Sequence, residues 1–250
     1  MIARLKRAVR SAIEAQGYFV RPKSQFGLVL GEDLRRFLRE SDAPRIFDVG
    51  ANSGQWLSSI KHTFPRARVH CYEPDERAFT GLRANAQQFD QVECLQCALG
   101  REPGALKFFR NTDSVTSSLL QPAKQTRALP YAEKLVPIDS VEVEVRTVAS
   151  ELDRLNISRL DLLKTDCQGF DLSVLQGAER LINEGRIDLI STEALFHAEY
   201  EGQAWFHEIL AWLSARGFGL IGVYDILHDD HGRALFGDAL FAHESARQPR

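Results

Sequence analysis

A chain of 250 residues, 44% apolar and 26% charged, has the size and composition of one α/β domain with a full core. Its net charge of −3 gives no electrostatic reason to approach nucleic acid, and no apolar run reaches the roughly 18 residues of a membrane span. The four cysteines form no secreted framework, and "CLQC" (Cys94 to Cys97) is a lone C-x-x-C read as buried strand thiols, which suits a reducing cytoplasm.

Residues 1–44 are read as a helical cap or docking segment. In "MIARLKRAVRSAIEAQG", Leu5, Ala8, Val9, Ala12 and Ile13 share one helical face, while Arg4, Lys6, Arg7 and Arg10 populate the rest. A basic amphipathic helix also suits peripheral membrane contact by residues 1–16. No long apolar segment follows, so a signal peptide is not expected.

The main domain spans 45–250, where short apolar runs alternate with helical patterns. "RIFDVG" is a strand and Trp56 to Thr63 a helix; "RVHCYEP" is a second strand, followed by the helix "DERAFTGLRANAQQF". "VECLQCALG" reads as one third strand and "LDLLKTD" as a fourth. "DLSVLQGAERLINEG" reads as one helix with Leu172, Leu175, Ala178 and Ile182 aligned. "IDLISTEA" is the next strand, and "QAWFHEILAWLSARG" a helix with Trp205, Ile209, Trp212 and Leu213 inward and Gly217 as C-cap. "FGLIGVYD" and "DALFAHE" are strands joined by a polar turn containing "HDDH" (His228 to His231), which reads as solvated rather than metal-binding. Such alternation predicts a Rossmann-like, mostly parallel sheet with helices on both faces and ligands at the carboxyl ends of its strands.

One stretch breaks the alternation. Within an insertion at about 101–150, "GALKFFRN" and "VEVEVRTV" have period-two character and pair as added β-structure. The polar "TDSVTSSLLQPAKQT" between them is long enough for a lid or substrate loop, with Ser117 and Ser118 as candidate substrate contacts.

The first strand ends in a glycine-rich turn, "FDVGANSGQW". A dinucleotide site wants G-x-G-x-x-G, but the residue two after Gly50 is Asn52, and Asp48 would repel a pyrophosphate. S-adenosylmethionine carries no phosphate, and its ammonium and sulfonium turn an acid here into an attraction. Gly50, Asn52 and Gly54 then shape the turn for that cofactor. Glu73 ends the second strand 25 residues later (73 − 48) and can accept both ribose hydroxyls of an adenosine. Ala98, in "CALG", is placed by topology beside the adenine.

These segments, with "YEPDERAFTGLRAN", "LDLLKTDCQGFDLSVLQGAERLI" and "STEALFHAEYEGQAWFHEILAWLSARGFGL", resemble the FkbM family of class I S-adenosylmethionine-dependent methyltransferases over residues 45–243. The most specific match is K-x-D-x-[EQ]-G-x-[ED]-x-x-V-L-x-G-A, from Lys164 to Ala178. Gln168 stands where many members have glutamate, and "TVASEL" lacks the acid of the family's T-x-D stretch. The resemblance implies a seven-stranded sheet with one antiparallel strand. It also implies O-methylation of a small molecule, commonly a sugar hydroxyl in a glycan or glycosylated natural product.

Methyl transfer needs an acceptor oxygen held in line with the sulfonium and a group to take its proton. Lys164, Asp166 and Gln168 share a strand face and converge on one pocket, and the fifth strand supplies Glu193, His197 and Tyr200. Asp166 is the first choice for the active centre, Glu193 the next, and His197 a candidate base. Asp166 and Glu193 are also a candidate Mg²⁺ pair, although two carboxylates do not define a metal site. Competing readings are an NAD(P)-dependent oxidoreductase, opposed by Asp48 and the absent glycine, and a non-catalytic nucleoside-binding module. The acceptor's identity and the oligomeric state are not legible.

Overall fold

The computed structural model describes residues 2–18, 20–22, 25–38, 41–124, 126 and 129–246, with the backbone alone for residues 2 and 3. Met1 of the expected first helix, Gln125 of the expected loop and residues 247–250 of the expected domain lie outside the described residues. Two helices come first, α1 (Ile2–Glu14) and α2 (Leu30–Leu38). Alternation begins with β1 (Arg45–Val49), α3 (Gln55–Thr63), β2 (Arg68–Tyr72), α4 (Glu76–Ala86) and β3 (Val92–Leu95). A side sheet follows, of β4 (Ala98–Leu99), β5 (Gly104–Asn111) and β6 (Pro137–Arg146). The main sheet resumes through α5 (Val148–Arg154), β7 (Leu160–Thr165), α6 (Asp171–Gln176), α7 (Glu179–Asn183) and β8 (Ile187–Leu195). It ends with α8 (Phe206–Ser214), β9 (Phe218–His228) and β10 (Ala234–His243).

The seven-stranded sheet has the order β3-β2-β1-β7-β8-β10-β9, with β10 antiparallel to both neighbours. This is the class I methyltransferase layout that the family resemblance implies. Strand alternation divides the core between the two faces. Phe47 and Leu163 join Val148, Leu175, Ile182 and Leu213 from α5–α8 on one face. Ile46 and Leu162 join Leu34, Leu57, Ile60 and Leu82 from α2–α4 on the other. Tyr224 donates to Asp33 Oδ2 at 2.8 Å and ties α2 to β9, whereas residues 4–13 of α1 are exposed throughout.

Three expected elements differ from the structure. The third strand breaks at Gln96 and Cys97; β4 leaves the main sheet to pair in parallel with β6, and Gly100 N donates to Arg146 O at 2.8 Å. The long helix after the fourth strand divides into α6 and α7 at Gly177, where a Cβ would lie 2.0 Å from the Gly100 carbonyl oxygen. That closeness lets the start of the side sheet seat on the helix pair. In α8, Trp205 is the N-cap rather than an inward residue, 36% exposed, because its backbone N–H bonds Glu208 Oε2 at 2.8 Å and turns the indole outward. Ala215 is the C-cap there, and Gly217 reverses the chain two residues later at φ +79°.

The insertion pairs as expected, β5 antiparallel to β6 from Gly104↔Val145 to Asn111↔Pro137. The polar turn after β9 is a hairpin in which Asp229 Oδ1 accepts from the backbone of His231 and Arg233. Among the described residues, no group of three or more His, Cys, Asp or Glu could hold a metal ion, and no helix is long and apolar enough to cross a membrane.

Candidate active site

β1 and β7 lie side by side in parallel, with Asp48 and Lys164 as register partners. The alternation that sends Phe47 and Leu163 to one core sends this pair to the other face, beneath α3. Asp48 is wholly buried, and Lys164 Nζ lies 3.2 Å from Asp48 Oδ1 and 3.5 Å from Asp166 Oδ2. Burial alone would lower the Lys164 ammonium, but Asp48 and Asp166 outweigh it and raise it above the ordinary lysine value. Lys164 therefore stays charged, and Asp48 is its buried counter-ion.

A cavity of about 270 Å³ opens beyond the carboxyl ends of β1, β2 and β7. Lys164 and Asp166 line it; Asp48 sits behind Lys164 and does not. The negative sign that the sequence assigns to Asp48 thus reaches the cavity wall through Asp166, since Lys164 offsets the other carboxylate. Gly50 allows this convergence. At φ +77° its Cβ would lie 2.0 Å from the Asp166 carbonyl oxygen, so only a residue without a side chain lets β1 and β7 end this close. Gly54 turns the chain into α3 without lining the cavity.

Glu73 and Asn52 build the adjacent wall. Asn52 adopts φ +45°, and its N–H donates to Glu73 Oε2 at 2.9 Å; Asp75 N donates to Oε1 at 2.8 Å. Each carboxylate oxygen keeps a lone pair for another donor. Glu73 is 5% exposed, and burial pushes its carboxyl up to about 7 against those two backbone donors. Apolar side chains of Ala98, Leu99, Phe108, Leu119 and Phe170 line the same cavity.

The segment between β5 and β6 forms a pinned wall rather than a free lid. Asn52 Nδ2 donates to Ser114 Oγ at 3.2 Å, Ser118 Oγ to Gln168 O at 2.8 Å, and Tyr200 OH lies 2.8 Å from Thr116 O. Ser117 lines the cavity while accepting from Asn111 N at 3.0 Å; Ser118 is 1% exposed and serves the pinning instead.

Gln168 organises the end of β7 from a left-handed φ of +52°. Its Nε2 donates to Asp166 Oδ1 at 2.9 Å and to Glu193 Oε1 at 3.0 Å, and its Oε1 lies 2.8 Å from the Tyr200 hydroxyl. The amide N–H₂ therefore fills the space between the two carboxylates where a bridging Mg²⁺ would sit. Glu193 and Tyr200 stand behind Gln168 and do not line the cavity. Burial, then repulsion from Asp166, Asp171, Glu199 and Asp238, pushes the Glu193 carboxyl well above the usual range, and its Oε2 is buried without a hydrogen-bond partner. His197 lies outside the cavity, its Nδ1 3.1 Å from Ala198 O.

Several lining residues escape sequence reasoning. Gln55, Trp56 and Val115 flank the polar side, with Lys164 Nζ 5.9 Å from the Trp56 ring centre. Trp56 reads as the first core residue of a helix, and Phe108 as one of many strand aromatics. Phe170 had a signal, since it lies inside the block from Lys164 to Ala178.

The model of the methyltransferase FkbM domain family matches residues 48–220. The chain is 27% identical over 180 residues to the 2-O-methyltransferase NoeI of Sinorhizobium fredii, covering 69% of this chain and 72% of that protein. It is 25% identical over 209 residues to the 31-O-demethyl-FK506 methyltransferase FkbM of Streptomyces tacrolimicus, covering 76% and 77%. Among solved structures, a precorrin-6y C5,15-methyltransferase from Geobacter metallireducens aligns with a TM-score of 0.46 at 13% identity, over 92% of this chain and 95% of its own.

Proposed function

Because this chain belongs to the FkbM methyltransferase family, we propose that it transfers the methyl group of S-adenosylmethionine to a hydroxyl of a small molecule, a saccharide in a glycan or glycosylated natural product. The carrying observation is one cavity that joins the Glu73 wall to the Asp166 wall. The residues present fit the cofactor. Glu73 has lone pairs for the ribose hydroxyls, the Ala98–Phe108–Phe170 side offers an apolar sleeve for adenine, and Asp48, Lys164 and Asp166 together leave one net negative charge for a cationic ligand. Bound there, S-adenosylmethionine supplies an electrophilic methyl that departs from a sulfonium without metal or covalent help.

The chain's own work is positioning and proton removal. Asp166 faces the cavity with 38% of its side chain exposed and takes the acceptor's proton on a carboxylate oxygen. Lys164 and Gln168 fix that carboxylate from two sides, and Glu193 and Tyr200 hold Gln168 in turn. The Trp56 ring with Asn52, Ser114 and Ser117 gives a sugar one apolar face and several hydroxyl partners. The O-methyl names of two relatives support a hydroxyl acceptor.

The test has two parts. S-adenosylhomocysteine at about 100 times its Kd should stabilise the fold by about 2.7 kcal/mol, whereas NADH should not. A null result with S-adenosylhomocysteine overturns the cofactor assignment. Labelled methyl donor offered with a panel of saccharides, phenols and amines should mark a saccharide hydroxyl, and label on another class overturns the acceptor assignment.

A further inference from the structure

The helix α1 has no place in the proposed reaction, and its design is unexplained by packing. Leu5, Val9 and Ile13 are 66%, 50% and 40% exposed, and residues 4–13 are exposed around the whole helix. Among the described residues none covers the apolar stripe of this amphipathic helix, which implies a partner that does. At 100° per residue, Leu5, Ala8, Val9, Ala12 and Ile13 make one continuous stripe, and Arg4 and Lys6 stand at its two edges. Arg7 and Arg10 fill the opposite side, where Arg10 pairs with Glu14 at 2.8 Å. Among the described residues, no carboxylate is within ion-pair reach of Arg4, Lys6 or Arg7.

Long cations at both edges of an apolar stripe match a helix lying in a lipid interface, where the stems lie along the acyl boundary and the charges reach anionic headgroups. Tyr18, 69% exposed just after the Gly17 turn, adds an aromatic of the type that sits at headgroup level. A protein groove would be served by the stripe alone and gives no reason for cations on both edges. We infer that α1 is a peripheral membrane anchor that binds the surface of anionic bilayers through Leu5, Val9 and Ile13 with Arg4, Lys6 and Arg7. It does not cross the bilayer.

The experiment is co-sedimentation of the full chain with vesicles of equimolar phosphatidylglycerol and phosphatidylcholine, beside vesicles of phosphatidylcholine alone. The chain should pellet with the first and stay in solution with the second. The double variant Leu5→Asp/Val9→Asp and the charge reversal Arg4→Glu/Lys6→Glu should each bind the anionic vesicles at least about tenfold more weakly. Their thermal melts should match the unaltered chain, because every altered side chain is exposed. Failure of the chain to pellet, or equal binding by the variants, overturns the proposal. So does a self-associated chain in solution that the first variant dissociates, or retention on RNA in place of vesicles. None of these readouts depends on the methyl donor, so they stand or fall separately from the catalytic assignment.

Discussion

Lys164 stands opposite Asp48 in the β1–β7 ladder, its Nζ 3.2 Å from Asp48 Oδ1, with both residues buried and only Lys164 reaching the cavity wall. Removing one partner of such a pair leaves an uncompensated buried charge. Lys164→Met should lower the unfolding free energy by about 3–5 kcal/mol, and adding Asp48→Leu should restore most of that loss. Urea unfolding of the two variants checks both steps.

Asp166 is the carboxylate that this pair presents to the cavity. Asp166→Asn keeps the volume and an acceptor for Lys164, but gives up the bond from Gln168 Nε2 and cannot take a proton at neutral pH. Turnover on the true acceptor should fall by about 100-fold or more, with S-adenosylhomocysteine affinity changed far less. Full turnover in this variant would remove Asp166 from the chemistry.

Glu73 gives the site a pH signature. Its carboxyl is lifted to about 7, chiefly by burial. Below that value a proton occupies a lone pair offered to the ribose, so S-adenosylhomocysteine should bind more tightly as pH rises through 7 and level off about one unit higher. The stability effect has the opposite sign. Because the folded pKa lies above the unfolded one, the folded state holds the extra proton between about pH 4.5 and 7, and this group's stabilising contribution fades across that interval. Calorimetric titrations of the parent and Glu73→Gln check the first point, the variant being weaker and flat with pH. Glu73→Ala should abolish cofactor binding and also cost about 2 kcal/mol of fold, since Asn52 and Asp75 each lose a backbone hydrogen bond.

Gln168 is the amide donor that stands between Asp166 and Glu193. Gln168→Glu would set a third carboxylate between Asp166 and Glu193 in place of a donor. The variant should lose about tenfold or more in turnover without added metal and recover part of it with Mg²⁺. The parent should be indifferent to EDTA. Rates measured with and without chelator decide the matter.

Gly50→Ala should be poorly tolerated, because its Cβ would fall 2.0 Å from the Asp166 carbonyl oxygen. A loss above about 3 kcal/mol is expected. Gly202→Ala, also at positive φ but with nothing within 4 Å of the added Cβ, should cost only about 1 kcal/mol.

The order of strands and helices was legible because apolar periodicity is a local property, and β1, β2, β7 and β8 each show it without help from elsewhere. β4 was not separable from β3, since the break at Gln96 is driven by hydrogen bonds to β6, some 50 residues away. For the same reason the division of α6 from α7 hides in a contact between Gly177 and Gly100. Asp166, Lys164 and Gln168 were legible as a group, from their shared spacing. Asp48 was legible as a special acid, but its service as the counter-ion of Lys164 depends on strand register, which one strand's sequence does not contain. Trp56, Val115 and Phe108 were invisible as site residues because each has an ordinary packing role for its residue type.

The side sheet has its own hydrogen-bond ladder, and the described residues between Thr112 and Val136 hang from its two longer strands. The cavity is thereby assembled from two pieces: a floor fixed by β1, β2 and β7, and a panel carried by the side sheet and pinned to the floor through Asn52, Gln168 and Tyr200. Changes of length or chemistry in the panel can retune which molecule is admitted while the floor's electrostatics stay intact. Diversification within such a fold has a cheap route, through the one wall whose strands lie outside the main sheet.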